Sequence, residues 1–341
     1  MPQLILLVSD QNIPNLFFFK KYAEQADEVV FVTTKQMLEK QKVRHLMDAA
    51  SMHAFKTSEV ILPDESDQAT MEKALLNRFS SDDQYLVNLT CGTKMMFMVT
   101  YNFFRKLNSQ LFYIPIGKHY FIQMGSEEPE TIPITEQVNV REYLNSHGIY
   151  YQPTQEPLSD IRFLKALLRE YKNADFDVNK IIEGRTNETQ NLFTGIWFEQ
   201  FIFYKIKSQF NLRDGDIERN VKVNNFHETH RMGHDNELDI AFVYDNELFV
   251  LEVKVSMGGR NHFKRNLDNI LFKLSALNKN FGFRSRAWLI TLADLSGEPK
   301  SFQEDLSRKL KILGIEGVND RVDIMNNKPL CVKQNGANLK L

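Results

Sequence analysis

The stretch "ELDIAFVYDNELFVLEVKVS", residues 237–256, is typical of two apolar strands joined by a polar turn. Because alternate residues of a strand share a face, Glu252 and Lys254 are predicted to point the same way. The opposite face of that strand is apolar and carries Phe249, Leu251, Val253 and Val255. Asp239 lies on the partner strand, so the two acids can approach one another across the ladder.

The chemistry of these charges follows from their proximity. Two carboxylates held together in a half-buried place repel each other unless a proton or a cation lies between them. Mg²⁺ and Mn²⁺ prefer oxygen ligands, so we expect one of these ions as the cofactor. Lys254 beside such an ion could stabilise a pentavalent phosphate or orient an attacking water. On an ordinary exposed sheet the same residues would be solvated charges or a weak cross-strand ion pair, and the three residues alone leave both interpretations open.

The hairpin resembles the core of the PD-(D/E)xK nucleases, which have a restriction-endonuclease-like α/β/α fold. Asp239 matches the motif Asp, and Glu252-Val253-Lys254 matches (D/E)xK, although the leading Pro of the signature is absent. In "GIWFEQFIFYKI" Glu199 matches a Glu that the family places on a preceding helix. The resemblance implies that Glu199, Asp239, Glu252 and Lys254 are catalytic. It also implies that Asp239, Glu252 and the Val253 carbonyl bind the metal, while Glu199 holds a metal-bound water or a second metal.

The segment after the catalytic hairpin is strongly basic. Residues 257–286 contain seven Lys and Arg side chains against one acid, Asp268. This pattern predicts a groove for a phosphate backbone, although a solvated helix face would have a similar composition. The candidates for nucleic-acid binding are Arg260, Lys264, Arg265 and Lys273.

The first 125 residues alternate apolar, strand-like runs with helical stretches. The runs are residues 4–8, 29–33, 59–62, 85–89 and 111–116, with a possible edge strand at 119–124, and the helical stretches are 14–25, 35–50, 67–79 and 93–107. This alternation predicts a parallel sheet with helices on both faces, a Rossmann-like domain. Polar loops follow the first strand ("VSDQNIPN") and the fourth ("NLTCGTKMM"), and both lead into helix starts that favour a phosphate. Neither a G-x-G-x-x-G nor a P-loop spacing is present.

These two loops resemble those of CARF domains, the cyclic-oligoadenylate sensors of type III CRISPR defence. Ser9, Asp10, Gln11 and Asn12 match the polar loop that follows the first strand of a CARF domain. Thr90, Cys91, Gly92, Thr93 and Lys94 match its (T)xGTK turn. The position of Cys91 is often Gly in relatives. A CARF domain followed by a PD-(D/E)xK domain resembles the CRISPR ancillary nucleases that cyclic tetra-adenylate activates. That resemblance implies a homodimer with the activator bound across its two-fold axis. It also implies an enzyme that cleaves single-stranded RNA or DNA and can nick duplex DNA.

Length and composition fit this organisation. A chain of 341 residues with 43% hydrophobic and 25% charged residues is that of a globular protein with about two domains. We expect a CARF sensor domain at 1–125, a linker and connecting helix at 126–185, and a nuclease domain at 186–341. The sequence has two cysteines, as is typical of a protein of the reducing cytoplasm. It shows neither a secretory signal nor an apolar run long enough to span a membrane, so we expect a cytoplasmic protein with no membrane partner.

Two other functions remain as alternatives. A stand-alone restriction or repair nuclease would need base-reading elements near the N-terminus, and the sequence contains no recognition helix of that kind. A regulatory protein with an inactive nuclease fold would have lost an acid or the lysine, or gained a helix-turn-helix. All four catalytic-type residues are present, which favours an active enzyme.

Overall fold

The computed structural model describes residues 1–64, 66–125, 129–152, 157–177, 180, 195–225, 236–258 and 262–332. The chain divides into two compact units. The N-terminal unit comprises Met1–Tyr150 with Asn225–Thr229, and the C-terminal unit comprises Tyr151–Asn224 with His230–Leu341. Within the described ranges, no helix is both long enough and apolar enough to cross a bilayer.

The N-terminal unit is built on a seven-stranded sheet of order β3-β2-β1-β4-β5-β6-β7. Its strands are β1 (Gln3–Leu7), β2 (Glu28–Thr34), β3 (Thr57–Leu62), β4 (Tyr85–Asn88), β5 (Ser109–Tyr113), β6 (Tyr120–Met124) and β7 (Glu130–Pro133). The first five strands are parallel and the last two are antiparallel additions. The expected Rossmann-like arrangement is therefore confirmed, and the order of the strands reverses between β1 and β4.

The helices of this unit follow the predicted stretches, except that the stretch 35–50 forms two helices and that the last helix lies in the segment predicted as a linker. They are α1 (Ile13–Tyr22), α2 (Lys35–Glu39), α3 (Lys42–Ala50), α4 (Gln68–Leu76), α5 (Lys94–Phe104) and α6 (Val140–Ser146). The single helix predicted over 35–50 is wrong, because Gln41 adopts a left-handed conformation (φ 55°) that separates α2 from α3. Thr93 caps α5 through a hydrogen bond from the Met96 N–H to its hydroxyl.

The segment predicted to be a linker and connecting helix contains regular structure. β7 pairs with β6 in the first sheet, and α6 begins with a capping box between Asn139 and Glu142. Farther along, Asp160 caps α7 (Ile161–Asn173) by accepting a hydrogen bond from the Arg162 N–H, so the predicted connecting helix is present.

The second sheet has six strands in the order β13-β12-β11-β10-β9-β8 and belongs to the C-terminal unit apart from the first residues of β8 and the last residue of β9. Its strands are β8 (Ile149–Gln152), β9 (Ile217–Asn225), β10 (Asn236–Tyr244), β11 (Glu247–Lys254), β12 (Ser285–Thr291) and β13 (Ile315–Asn319). The other helices of the C-terminal unit are α8 (Trp197–Gln209), α9 (Phe263–Asn278), α10 (Lys300–Leu313) and α11 (Arg321–Met325), numbered over the described residues. β10 and β11 form the predicted antiparallel hairpin, and β12 extends the sheet in parallel to β11. Asp245 and Asn246 both have positive φ, as a two-residue type I′ turn requires.

One face of this hairpin lies in the main core of the C-terminal unit. The apolar residues predicted to share that face, Phe249, Leu251, Val253 and Val255, all pack there. The aromatic residues of α8, among them the fully buried Trp197 and Phe198, belong to the same cluster. The core therefore holds α8 against the sheet and fixes where its first turn lies.

Candidate functional site

The hairpin register places the two acids opposite one another. Ile240 of β10 pairs with Leu251 of β11, so the adjoining positions, Asp239 and Glu252, face each other across the ladder. Ile240 and Leu251 belong to the apolar core. Because side chains alternate along a strand, the acids project from the opposite face, as the sequence predicts.

Lys254 lies between the two carboxylates. Its Nζ is 2.8 Å from Asp239 Oδ2 and 2.8 Å from Glu252 Oε1. The Val253 N–H also donates to Asp239 Oδ2, at 2.7 Å. The side chain of Glu252 is only 4% exposed, against 13% for Asp239 and 31% for Lys254. The three residues form one compact, mostly buried cluster.

The electrostatics of the cluster follow from this burial. Burial raises the pKa of Glu252, the nearby charge of Asp239 raises it further, and Lys254 opposes both effects. Burial alone would lower the pKa of Lys254, but the two acids outweigh it and the lysine pKa is raised. The ammonium is therefore held firmly in its charged form between two groups that need a positive charge.

Glu199 lies in the first turn of α8 and interacts electrostatically with Asp239 and Lys254. Burial raises its pKa to about 7, and repulsion from Asp239 and Glu237 adds to this, while Lys254 and Arg219 act in the opposite direction. The helix thus brings the fourth predicted residue into electrostatic contact with the hairpin. A carboxyl group with a pKa near 7 can gain or lose a proton at neutral pH.

The three predicted nucleic-acid contacts that the structure describes have different partners. Lys273 of α9 lies at the acid cluster, with its Nζ 3.8 Å from Glu252 Oε1. Lys264 is exposed and 3.9 Å from Asp305, and Arg265 contacts the His262 ring. Arg260 lies outside the described residues. Lys273 therefore adjoins the candidate catalytic residues.

Two further residues influence the site and were not predicted. Glu237 precedes Asp239 by two positions on β10, and Arg219 lies on the neighbouring β9, where it is 3% exposed. Both charges affect the pKa of Glu199. The period-2 spacing of Glu237 and Asp239 is a signal that could have identified Glu237. The position of Arg219 depends on strand pairing and has no comparable local signal.

The cluster offers oxygen ligands for a hard divalent cation. Asp239 and Glu252 provide two carboxylates, and Val253 lies between Glu252 and Lys254 on the same strand. Among the described residues no set of three or more His, Cys, Asp or Glu side chains could together hold a metal. Mg²⁺ is commonly bound by only one or two carboxylates together with waters and substrate oxygens, so the pair fits such an ion.

In the N-terminal unit the two predicted loops meet where β1 and β4 end side by side. The Cys91 thiol donates to the Gln11 carbonyl at 3.0 Å, and the Gln11 N–H donates to Ser9 Oγ at 3.2 Å. Burial raises the pKa of Cys91 to about 12, so the thiol stays protonated and serves as a donor. Gly92 has φ +94°, and a Cβ there would lie 3.3 Å from Met96 Cβ, so the turn favours glycine.

Two buried amides that were not predicted, Asn15 and Asn88, form a hydrogen-bond network next to these loops. Asn15 Nδ2 donates to the Leu7 carbonyl at 2.7 Å, and Asn88 Nδ2 donates to Asn15 Oδ1 at 2.8 Å. Asn88 Oδ1 in turn accepts from the Thr90 hydroxyl at 2.6 Å. An Asn within the apolar run "YLVNL" is the signal that could have revealed this network, since a buried amide needs partners.

The remaining predicted loop residues differ in exposure. Asn12 is fully buried and donates to the Lys42 carbonyl at 3.0 Å, while its Oδ1 has no hydrogen-bond partner. Asp10 is exposed and pairs with Lys40 and Lys42 at 3.1 and 3.6 Å. Thr93 and Lys94 are exposed at the start of α5. The structure therefore brings both predicted segments together at one edge of the sheet.

Two protein-family models match the chain, one in each half. The family model described as "Card1 CARF domain" matches residues 3–143, and the one described as "Card1-like, endonuclease domain" matches residues 186–331. No curated protein sequence matches the chain.

Three solved structures share the fold. Protein VC1899 from Vibrio cholerae has a TM-score of 0.75 at 15% identity, with 96% of each chain covered. Can2 from Sulfobacillus thermosulfidooxidans, in complex with cyclic tetra-adenylate, has a TM-score of 0.71 at 14% identity, with 96% of this chain and 98% of that chain covered. A type III CRISPR defence DNA nuclease activated by cyclic oligoadenylate has a TM-score of 0.60 at 16% identity. That match covers 91% of this chain and 51% of the other, so this chain spans about half the length of that nuclease.

The two family models match consecutive parts of the chain, and each contains one of the residue clusters described above. Asp239, Glu252 and Lys254 lie in the part that the endonuclease model matches. The two polar loops, after β1 and after β4, lie in the part that the CARF model matches. The chain therefore belongs to the Card1-like nucleases, in which a CARF domain precedes an endonuclease domain.

Proposed function

We propose that the protein is a type III CRISPR ancillary endonuclease that a cyclic oligoadenylate activates, with cyclic tetra-adenylate as the preferred ring. Its substrate is single-stranded RNA or DNA, it can nick duplex DNA, and its cofactor is Mn²⁺ or Mg²⁺. The observation that carries the proposal is the pair of facing carboxylates with Lys254 between them, inside the part that the endonuclease model matches. A buried pair of acids is costly to maintain unless it serves to bind a cation.

In this proposal Asp239, Glu252 and the Val253 carbonyl hold the metal, with Glu199 toward its water or a second ion. When bound, the metal lowers the pKa of water and offsets phosphate charge. Lys254, whose charged form the acids favour, is positioned to stabilise charge that develops on the scissile phosphate. Glu199, with a pKa of about 7, suits the acceptance of a proton from the attacking water.

The activator site in this proposal is the edge where β1 and β4 end. We assign one side of this site to the first loop, with Ser9, Asp10, Gln11 and Asn12. We assign the other side to the second loop, with Thr90, Cys91, Gly92, Thr93 and Lys94. Free N–H groups at the start of α5 and the charge of Lys94 favour phosphate groups there. The Can2 structure with cyclic tetra-adenylate supports this ligand class.

We further propose that the protein acts as a homodimer in a reducing cytoplasm. A ring-shaped activator with internal symmetry matches an isologous two-fold interface. Activation requires the ring to bind one arrangement of the dimer more tightly than another. The described cysteines, Cys91 and Cys331, are free and buried, as suits a reducing compartment.

The decisive experiment combines purified protein, Mn²⁺ and labelled single-stranded RNA and DNA, with and without cyclic tetra-adenylate. We expect cleavage only when both metal and activator are present. Glu252→Gln and Lys254→Gln should each lower the activated rate at least about a hundredfold. Glu304→Gln, on the exposed surface of α10, is the matched control and should cleave normally.

Three results would contradict the proposal in different ways. A rate that does not respond to the activator would refute the sensor function while leaving the nuclease intact. Full activity of Glu252→Gln would refute the site assignment. An absence of cleavage together with tight activator binding would favour the regulatory protein with an inactive nuclease fold.

A further inference from the structure

A cavity of the C-terminal unit is lined by residues other than Glu199, Asp239, Glu252 and Lys254. It has a volume of about 470 Å³ and is formed by α7, one side of α8 and residues 327–329 after α11. Lys205, which lines it, follows Glu199 by six positions on α8, which corresponds to about 9 Å along the helix and a different face. The cavity is therefore a separate site on the same helix.

The cavity concentrates positive charge that is only partly balanced. Lys165, Lys205 and Lys328 all line it. Lys328 pairs with Asp323 at 2.9 Å, but Lys205 donates to the neutral Asn327 Oδ1, at 2.5 Å. In the described part of the chain, neither Lys165 nor Lys205 pairs with a carboxylate. Burial lowers the pKa of Lys205, which is the expected effect on a cation without a nearby anion.

The cavity also presents aromatic surface beside these charges. Phe201 and Tyr204 of α8 line it, at i and i+3, one turn before Ser208. The Tyr204 hydroxyl donates to the Ser159 carbonyl at 3.2 Å, which holds the ring in place. An aromatic face next to lysines is the combination that binds a nucleobase and its phosphate. A volume of about 470 Å³ lies within the range of small-ligand pockets.

We propose that this cavity binds a nucleotide, with its phosphate on Lys165 and Lys205 and its base against Tyr204. The nucleotide is either one unit of a single-stranded substrate or a free mononucleotide, and both present the same chemistry. The first source rests on the proposed nuclease function, because the strand must also reach the catalytic cluster. The second source is independent of it.

The test measures binding without cleavage. A fluorescein-labelled ten-nucleotide single strand is titrated into Glu252→Gln protein at several salt concentrations, and adenosine monophosphate is titrated by calorimetry. Adding Lys165→Gln and Lys205→Gln should each weaken binding about tenfold, as expected for a charge-assisted contact. Because both lysines contact the same phosphate in this proposal, the pair should also reduce the slope of log K against log salt by about 0.7. Lys172→Gln is the matched control, since Lys172 is exposed on α7 and does not line the cavity.

The outcomes separate this proposal from the proposed function. Weaker binding of the strand identifies a substrate nucleotide, and weaker binding of the mononucleotide alone identifies a free ligand. Unchanged affinity and salt slope for both probes in the double lysine variant would overturn the proposal, even if activated cleavage by the wild-type protein is normal. Weaker binding in the lysine variants, together with no cleavage by the wild-type protein in the presence of metal and activator, would support the cavity and refute only the nuclease function. The fluorescence of Trp197 and Trp288 reports whether the variants are folded.

Discussion

Replacing Lys254 by Met should destabilise the C-terminal unit, and a divalent cation should restore it. The lysine contributes the ammonium that lies 2.8 Å from both Asp239 and Glu252. Removing one partner of a buried ion pair costs about 3–5 kcal/mol because the remaining charge is left uncompensated. Since Lys254 is 31% exposed, we expect the lower end, about 3 kcal/mol.

The expected shift can be measured by urea unfolding. With a denaturant slope of about 2 kcal/mol/M, a loss of ~3 kcal/mol lowers the midpoint by about 1.5 M. Both tryptophans of the protein, Trp197 and Trp288, are buried in the C-terminal unit, so their fluorescence follows that unit alone. In EDTA, Lys254→Met should unfold well before the wild type. Mn²⁺ at about a hundred times its Kd should add ~2.7 kcal/mol to the variant and recover most of the loss.

A matched control separates this effect from the loss of any lysine. Lys309 of α10 pairs with Asp268 at 2.7 Å, and the side chain of Asp268 is 28% exposed, against 13% for Asp239 and 4% for Glu252. Lys309→Met should therefore shift the midpoint by less than about 0.5 M, in line with a surface pair worth at most ~1 kcal/mol. If Lys254→Met unfolds with the wild type in EDTA, or if Mn²⁺ stabilises both proteins equally, the lysine does not act as the counter-charge of the acids.

Three further outcomes are expected in the N-terminal unit. Burial lowers the pKa of His147 to about 4, so the unfolded chain takes up that proton first. Stability should then fall by up to ~3 kcal/mol from pH 6.5 toward pH 4, and His147→Gln should flatten this slope in thermal unfolding followed by circular dichroism. Lys94→Gln should raise the concentration of cyclic tetra-adenylate that gives half-maximal cleavage about tenfold, with the saturated rate unchanged. Gly92→Ala should cost ~1–3 kcal/mol, because φ +94° is strained for alanine, and a thermal midpoint by circular dichroism equal to that of the wild type would contradict this.

Much of the fold could be predicted because its signals are local. The apolar runs of β1 to β5 and the periodic stretches between them are contiguous in sequence, and the strand reversal at β1 and β4 follows the usual topology of such sheets. β7 has no comparable signal, because "ETIP" is short and polar and becomes a strand only by pairing with β6. The break at Gln41 was missed because helical periodicity continues on both sides of it.

The candidate site also contains residues that local sequence signals predict and residues that only the tertiary structure reveals. Glu252 and Lys254 share a face by strand geometry alone, and a short hairpin turn fixes Asp239 opposite them. Lys273 reaches Glu252 from α9, and Arg219 affects Glu199 from β9, through packing between elements that are distant in sequence. The composition of residues 257–286 predicts positive charge there, but only the tertiary structure shows that Lys273 adjoins the acids while Arg286 is paired with Glu247 and Glu316.

The position of Lys254 connects the stability of the unit with its proposed chemistry. A site that binds a divalent cation through buried acids must also survive folding before the cation arrives, when repulsion between the acids is greatest. Lys254 meets this need because its ammonium contacts both carboxylates at 2.8 Å. The same ammonium is the charge that our proposal assigns to the scissile phosphate, so it must be released from at least one acid when a metal binds.

A lysine at position 254 suits both functions because its flexible chain carries a compact charge, whereas the planar guanidinium of an arginine would hold a carboxylate in a fixed two-point contact. Lys254→Arg should therefore retain the stability of the metal-free unit and lose activity, a separation that a purely structural ion pair would not produce.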